Sequence, residues 1–274
     1  MHYLTAHGAQ IPALGFGVFR MTDAQVETVI PAAMEAGFRH FDTAQIYGNE
    51  AGLGRALAAS GAKREELFLT TKVWVENYSD ARFLASVDES LDKLGVAHVD
   101  LLLAHWPGNS VPVEQQVEWL NAAQAAGKTR HIGVSNYNRT QLRAAIAASQ
   151  APIITNQIEL HPYLDQSAMA ALAQETGTLL TGYFGMADGA VPQDPLIGQI
   201  AARHGKTAAQ VGLRWLVQQG AVALSKTAKP PRVAENFNIF DFTLTKTDMA
   251  EISGLARADG RLVSPEGLAP DWAA

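Results

Sequence analysis

From residue 11 onward, short apolar runs rich in β-branched residues alternate with longer stretches of helical periodicity, and turn residues separate the two. Eight runs read as strands: LGFGVF, FRHFDTA, LFLTTKV, VDLLLAHW, TRHIGVSN, PIITNQIEL, TLLTGYF and AVALSKT. Helical patterns fill the spaces between them: TDAQVETVIPAAMEAG, EAGLGRALAAS, SDARFLASVDESLDKLG, PVEQQVEWLNAAQAAG, RTQLRAAIAASQ, DQSAMAALAQETG and PLIGQIAARHG, then an additional TAAQVGLRWLVQQG. Several of these end on glycine, at Gly37, Gly95, Gly127, Gly177, Gly205 and Gly220, as helix C-termini do. Ahead of them, HYLTAHGAQIPAL reads as a hairpin turning at Gly8.

Eight strands in alternation with helices predict a parallel α/β fold, and a sheet that closes on itself has a reason to stop at eight. The expected architecture is a (β/α)8 TIM barrel with an N-terminal β-hairpin plugging its bottom and extra helices. No Gly/Ser-rich or Pro-rich linker interrupts the pattern, so residues 1–274 are expected to form one domain.

Composition narrows the chemistry. The chain has no cysteine, which excludes thiolate metal sites, iron–sulfur clusters and a thiol nucleophile. A net charge of −6 argues against nucleic acid as a partner, because phosphate binding needs a concentrated basic face. The first residues lack a basic start and an apolar signal core, and no apolar stretch approaches the roughly 20 residues that span a bilayer. A cytoplasmic protein without a membrane partner is expected, and a monomer, since a closed barrel needs no partner to complete its core.

In a parallel barrel the site lies at the C-terminal strand ends. The polar residues placed there are Asp42, Lys72, His105, Ser135, Asn136, Gln157, Tyr183 and Lys226. An aspartate and a lysine on neighbouring strands near an apolar interior are costly unless paired, so Asp42 and Lys72 should meet. Tyr47, five residues past Asp42, can reach that lysine, whose charge is expected to lower the phenol pKa and suit it to general acid catalysis. His105 can hydrogen-bond the same substrate oxygen. Ser135, Asn136 and Gln157 could hold a primary amide, and Tyr183 offers a ring for stacking; an aromatic ring bearing a carboxamide is a nicotinamide. Lys226, Thr227, Lys229 and Arg232 lie on a loop entering a helix, a place suited to phosphates. Phe19, Trp74, Trp106 and Trp272 could wall a small carbonyl substrate.

Other motifs carry less. GFGVFR has Arg20 where a third dinucleotide-fold glycine should stand, and the two GKT tripeptides lack the earlier P-loop glycine. A metal-dependent hydrolase using His105, His161 and Asp42 is disfavoured, since neither HxH nor HExxH occurs. No metal is expected.

The segments FDTAQIYGNE, TTKVW, LLLAHWP, GVSNYN, TNQIELHPYL and SKT…RVAEN resemble the successive signatures of the aldo-keto reductases nearly end to end. The closing RLVSPEGLAPDW is similar to the small bacterial diketogluconate reductase branch. The resemblance implies a catalytic tetrad of Asp42, Tyr47, Lys72 and His105 with Tyr47 as proton donor. It implies direct hydride transfer from NADPH to aldehydes, ketones and dicarbonyls such as 2,5-diketogluconate or methylglyoxal. It assigns Ser135, Asn136 and Gln157 to the carboxamide and Tyr183 to the stack. Lys226, Thr227, Arg232, Glu235 and Asn236 are assigned to the adenosine half, with Lys226 and Arg232 facing a 2′-phosphate. Departures occur at Phe184, Gly185 and Met186, where many members carry Ser-Pro-Leu, and at Ser225, where proline is usual. The segment after His105 is short, which implies an open substrate mouth. A non-catalytic NADPH-binding protein is the alternative reading.

Overall fold

The structure, a computed structural model, describes residues 2–108 and 110–274; Asn109, in the short segment after His105, lies outside the described residues. Strands β1 (Tyr3–Ala6) and β2 (Ala9–Pro12) form the expected antiparallel hairpin. Its turn places His7 at φ 48° and Gly8 at φ 84°; positive φ at both corners matches the twist of a two-residue hairpin, and glycine supplies the second at no steric cost. Eight further strands follow: β3 (Leu14–Gly17), β4 (His40–Asp42), β5 (Phe68–Val73), β6 (Val99–Ala104), β7 (Thr129–Ser135), β8 (Ile153–Glu159), β9 (Leu179–Tyr183) and β10 (Val222–Ser225). They close into an all-parallel barrel in the order β10-β3-β4-β5-β6-β7-β8-β9. Each lies in a run identified by its periodicity.

Among the described residues ten α-helices accompany them: α1 (Asp23–Ala36), α2 (Glu50–Ala59), α3 (Phe83–Leu94), α4 (Val113–Ala125), α5 (Arg139–Ala148), α6 (Ser167–Thr176), α7 (Pro195–His204), α8 (Ala208–Gln218), α9 (Pro231–Phe237) and α10 (Lys246–Ser253). Reciprocal capping boxes start four of them, at Thr22/Gln25, Asn138/Gln141, Thr207/Gln210 and Thr245/Asp248. Each satisfies two otherwise orphaned amides and so defines where the helix begins. Two elements differ from expectation. Helix α3 starts at Phe83, because Ser79–Arg82 form a turn in which the Ser79 carbonyl accepts from the Arg82 and Phe83 amides. Helix α10 escaped the periodicity reading because its buried positions, Asp248 and Ile252, make too thin an apolar stripe; its visible signal was the capping box.

Apolar helix faces pack on the outside of the barrel in one large cluster, while a second fills the barrel's lower interior. There Ala6, Ala9 and Ile11 of the hairpin meet Phe68, Leu101, Leu103, Ile154 and Val222. That end is filled by apolar side chains, which leaves the C-terminal strand ends for polar ones. Among the described residues no helix is long and apolar enough to cross a membrane.

Candidate active site

Strand register brings Asp42 and Lys72 together. Asp42 on β4 pairs with Thr70 on β5, and residues two apart on a strand share a face, so Lys72 stands one step above Asp42 on the barrel's inner side. Lys72 Nζ lies 2.6 Å from Asp42 Oδ1 and 2.8 Å from the Thr43 carbonyl, and the lysine side chain is wholly excluded from solvent. A second donor completes the arrangement. Gln157 on β8, diametrically across the barrel, gives Nε2–H to Asp42 Oδ2 at 2.8 Å. This contact joins residues 115 apart in sequence, and no local pattern signals it.

Tyr47 ends a single 3-10 turn, Gln45–Tyr47, closed by Gly48 in the left-handed region at φ 68°. Two side chains lock this turn. Gln45 donates to the Ser86 carbonyl and Oγ and to Ser90 Oγ, and accepts from the Trp74 amide at 2.8 Å and from Asn77 Nδ2 at 2.9 Å. Asn49 accepts from Thr43 Oγ1 and donates to the Val18 and Met21 carbonyls. Both residues went unnoticed in the sequence, since their partners come from other elements. The turn delivers Tyr47 Oη to 3.3 Å from Lys72 Nζ. The Tyr47 ring meets His105 edge-on at 5.7 Å between centroids, and Trp74 meets the other side of His105 at 5.2 Å.

The electrostatics correct one expectation. Burial, and secondarily the negative charge of Asp42, push the Tyr47 phenol well above its ordinary value. The lysine does not lower it, because its charge is matched at shorter range by Asp42 and its own pKa is drawn down by burial. Tyr47 therefore stands as a protonated donor. His105 is held neutral: burial first, then the Lys72 charge, lower its pKa far below 6.5, and its Nδ1 has no hydrogen-bond partner among the described residues. His40, deeper in the barrel, is lowered too, mainly by burial.

These two histidines yield a pH prediction. The unfolded chain takes up their protons near pH 6.5, whereas the folded protein does not, so their contribution to stability is full above that pH and falls as pH drops below it. Each can cost up to about 1.4 kcal/mol per pH unit in that window. The urea midpoint should therefore decline between pH 7.5 and 5.5, less steeply in His40→Gln; equal slopes would remove His40 from the account.

Asn136 follows β7 with φ 64°, a left-handed bend that asparagine tolerates better than most residues. The bend lets its Nδ2 donate to the His105 carbonyl and to Ser135 Oγ, both at 3.1 Å, while its Oδ1 accepts from Tyr183 Oη at 2.7 Å. Ser135 pairs in register with Gln157 and donates to its carbonyl at 2.8 Å. Ser135, Asn136, Gln157 and Tyr183 thus form one connected set beside Asp42.

The surrounding cleft has a volume of about 460 Å³ and is lined by Asp42, Tyr47, His105, Ser135, Asn136, Gln157 and Tyr183, with Phe19, Trp74, Trp106 and Lys226 also in its wall. Thr227, Arg232, Glu235 and Asn236 stand outside this lining. The Arg232 side chain is exposed, Thr227 Oγ1 accepts from the Lys229 amide, Glu235 accepts from Thr207 Oγ1, and Asn236 Nδ2 donates to Ser225 Oγ at 3.0 Å. The last bond gives the serine departure a local purpose, tying the end of β10 to α9. Trp272 does not reach the lining either. The tail does fold back over the barrel, but Arg261 stacks on the indole at 3.7 Å, Ser264 Oγ holds its Nε1, and its ring meets Trp106 at 6.4 Å.

Residues that the sequence reading missed complete the cleft: Arg20, Ile46, Asp188, Val263, Pro265 and Leu268. Arg20 and Asp188 face each other at 3.8 Å, and both have positive φ. Phe184, Gly185 and Met186 also line the cleft; the segment bends at Phe184 (φ 58°), and a Cβ at Gly185 would stand 2.8 Å from Leu216 Cδ1, so a larger residue there would have to displace that methyl. His161 is fully buried against Glu159, and among the described residues no group of acidic and histidine side chains could hold a metal ion.

Comparison with known proteins finds relatives along nearly the whole chain. The model of the aldo/keto reductase family matches residues 13–257. The chain is 43% identical over 265 residues to methylglyoxal reductase DkgB of Escherichia coli O157:H7, covering 96% of this chain and 99% of that one. An aldo-keto reductase of Mycobacterium avium (strain 104) is 41% identical over 248 residues, covering 90% and 87%. A crystal structure named for 2,5-diketo-D-gluconic acid reductase B superposes with a TM-score of 0.98 at 57% identity, covering 100% of this chain and 98% of that one. The aldose reductase of Schistosoma japonicum gives 0.89 at 29% identity, with 94% of each chain covered. Matched over residues 13–257, the chain belongs to the aldo/keto reductase family and is an oxidoreductase acting on carbonyl compounds.

Proposed function

We propose that the protein reduces aldehydes, ketones and dicarbonyls of the methylglyoxal or 2,5-diketogluconate kind to alcohols with NADPH, and that Tyr47 donates the proton. One observation carries the reading: the Tyr47 phenol, 3.3 Å from the buried Lys72 nitrogen and edge-on to the His105 ring, lines the same cleft as Ser135, Asn136, Gln157 and Tyr183. The nicotinamide, when bound, supplies the hydride to the carbonyl carbon. The chain's own residues manage the oxygen. A carbonyl oxygen between Tyr47 and His105 takes a hydrogen bond from each and then the phenolic proton, while the phenolate left behind is stabilised by Lys72. Asp42 holds that lysine in place and is itself held by Gln157.

The residues present suit a nicotinamide. Ser135, Asn136 and Gln157 offer the mixed donors and acceptors that a primary amide needs, and Tyr183 offers a ring in the same cleft. Lys226 and Arg232, with the Thr227 hydroxyl, are the residues suited to a 2′-phosphate, and Glu235 and Asn236 to the adenosine half. Phe19, Trp74 and Trp106 would wall the substrate side, with Trp272 backing Trp106. A barrel closed without a partner strand supports a monomer, acting in the cytoplasm where NADPH is kept reduced.

The test follows nicotinamide absorbance with purified protein, NADPH or NADH, and methylglyoxal or 2,5-diketogluconate. Carbonyl-dependent loss of NADPH is expected; a protein that neither binds nor oxidises NADPH overturns the reading. The variant Lys226→Ala/Arg232→Ala should weaken NADPH binding by about 10- to 100-fold, at about 1.4 kcal/mol per tenfold, and leave NADH binding nearly unchanged. Equal losses for both nucleotides would remove the 2′-phosphate assignment.

A further inference from the structure

Glu159, the last residue of β8, has no part in the chemistry above, yet its side chain is entirely excluded from solvent. Burying a carboxylate is costly unless hydrogen bonds replace its water. Here the replacements come mainly from the C-terminal tail. Oε1 accepts from the Leu262 amide at 2.7 Å and from His161 Nε2 at 2.9 Å, and Oε2 accepts from the Val263 amide at 3.0 Å. These bonds join residues 103 and 104 positions apart. The segment 257–274 contains neither helix nor strand, so its backbone amides depend on such partners for their place.

The clamped residues matter because of where they lead. Val263, Pro265 and Leu268 line the cleft. On the near side of the clamp, Gly260 lies so tightly on the Tyr163 carbonyl that a Cβ would stand 1.8 Å from its oxygen. On the far side, the Asp271 carbonyl accepts from Asn138 Nδ2 at 2.9 Å, and Trp272 rests between Arg261 and Trp106. Glu159 also pairs in register with Tyr183, so tail and ring platform are held from one strand end. Arg261, also in the tail, balances the charge as an ion pair at 3.7 Å from Oε2 but makes no hydrogen bond to it, so the bonds that fix the tail on the carboxylate are those from its two amides.

We propose that Glu159 is a positioning residue that docks residues 262–268 as the substrate-side wall of the cleft, so that carbonyl binding depends on a carboxylate that never touches the carbonyl. The proposal rests on the carbonyl-reductase reading for its kinetic consequence, but not for its structural one. Glu159→Gln is nearly isosteric, yet its NH2 must face donors that the second carboxylate oxygen now satisfies. Gly260→Ala leaves the carboxylate in place and displaces the tail from its other anchor.

The experiment measures, for the full chain and both variants, amide hydrogen exchange over residues 260–270, NADPH affinity by protein fluorescence, and KM and kcat for methylglyoxal. In Glu159→Gln, protection at 262 and 263 should fall by about 100-fold and KM should rise by about tenfold or more. Affinity for NADPH and kcat should stay within about twofold, since the proton-donating set is untouched. Gly260→Ala should show the same split. Unchanged protection in the tail overturns the proposal, as does a parallel fall in NADPH affinity, kcat and carbonyl binding, which would make Glu159 a support of β8 alone. If the wild-type protein reduces no carbonyl, the functional reading fails and hydrogen exchange still decides the clamp.

Discussion

Replacing Tyr47 with phenylalanine should lower kcat for carbonyl reduction by roughly a thousandfold, within the range by which a positioned general acid accelerates a reaction. The fold should barely notice. Lys72 keeps its bonds to Asp42 at 2.6 Å and to the Thr43 carbonyl at 2.8 Å, and loses only a 3.3 Å contact. The Phe ring keeps its packing against Phe19 and His105, so stability should change by less than about 1 kcal/mol. NADPH affinity should be unchanged. A kcat within tenfold of wild type would show that water or His105 delivers the proton instead, and would remove Tyr47 from the mechanism.

A second large effect is expected at the buried ion pair, where activity and stability can be separated. Lys72→Met removes a cation that is wholly buried and leaves Asp42, itself almost inaccessible, with Gln157 as its remaining side-chain donor. Breaking a buried pair by deleting one partner costs about 3–5 kcal/mol, which for a chain of this size lowers the melting temperature by roughly ten degrees. Activity should vanish too, because nothing then stabilises the phenolate. The double variant Asp42→Asn/Lys72→Met should regain most of the stability, since an amide in place of the carboxylate no longer strands a charge, and none of the activity. Recovery of turnover in the double variant would show that the pair serves the fold and not the chemistry.

Much of this was legible in the sequence because it is repeated and local. Each strand–helix unit carries its own hydrophobic period and its own turn residues, so all eight barrel strands and most helices could be marked out. Helix α10, with few buried positions, could not. The polar residues at the strand ends were visible for the same reason: once the barrel is assumed, Asp42, Lys72, His105, Asn136 and Gln157 fall at equivalent positions in successive units. Less legible were the side chains whose meaning lies in a distant partner. Gln45 and Asn49 looked like loop residues, yet they aim the Tyr47 turn. Trp272 looked like a cleft residue and instead braces Trp106.

Hydrophobic periodicity and residue order are local properties, and they specify the barrel, the hairpin that fills its lower end, and the residue types gathered at its upper end. The state and company of those residues depend on the closed fold. Tyr47 stays protonated because burial and Asp42 outweigh a lysine whose charge is already matched. Asp42 is restrained from the opposite strand by Gln157, and the wall facing the cleft comes from a tail pinned by Glu159. Solvent exclusion and contacts between residues more than 100 positions apart arise only when the chain closes on itself, and no window of sequence contains them.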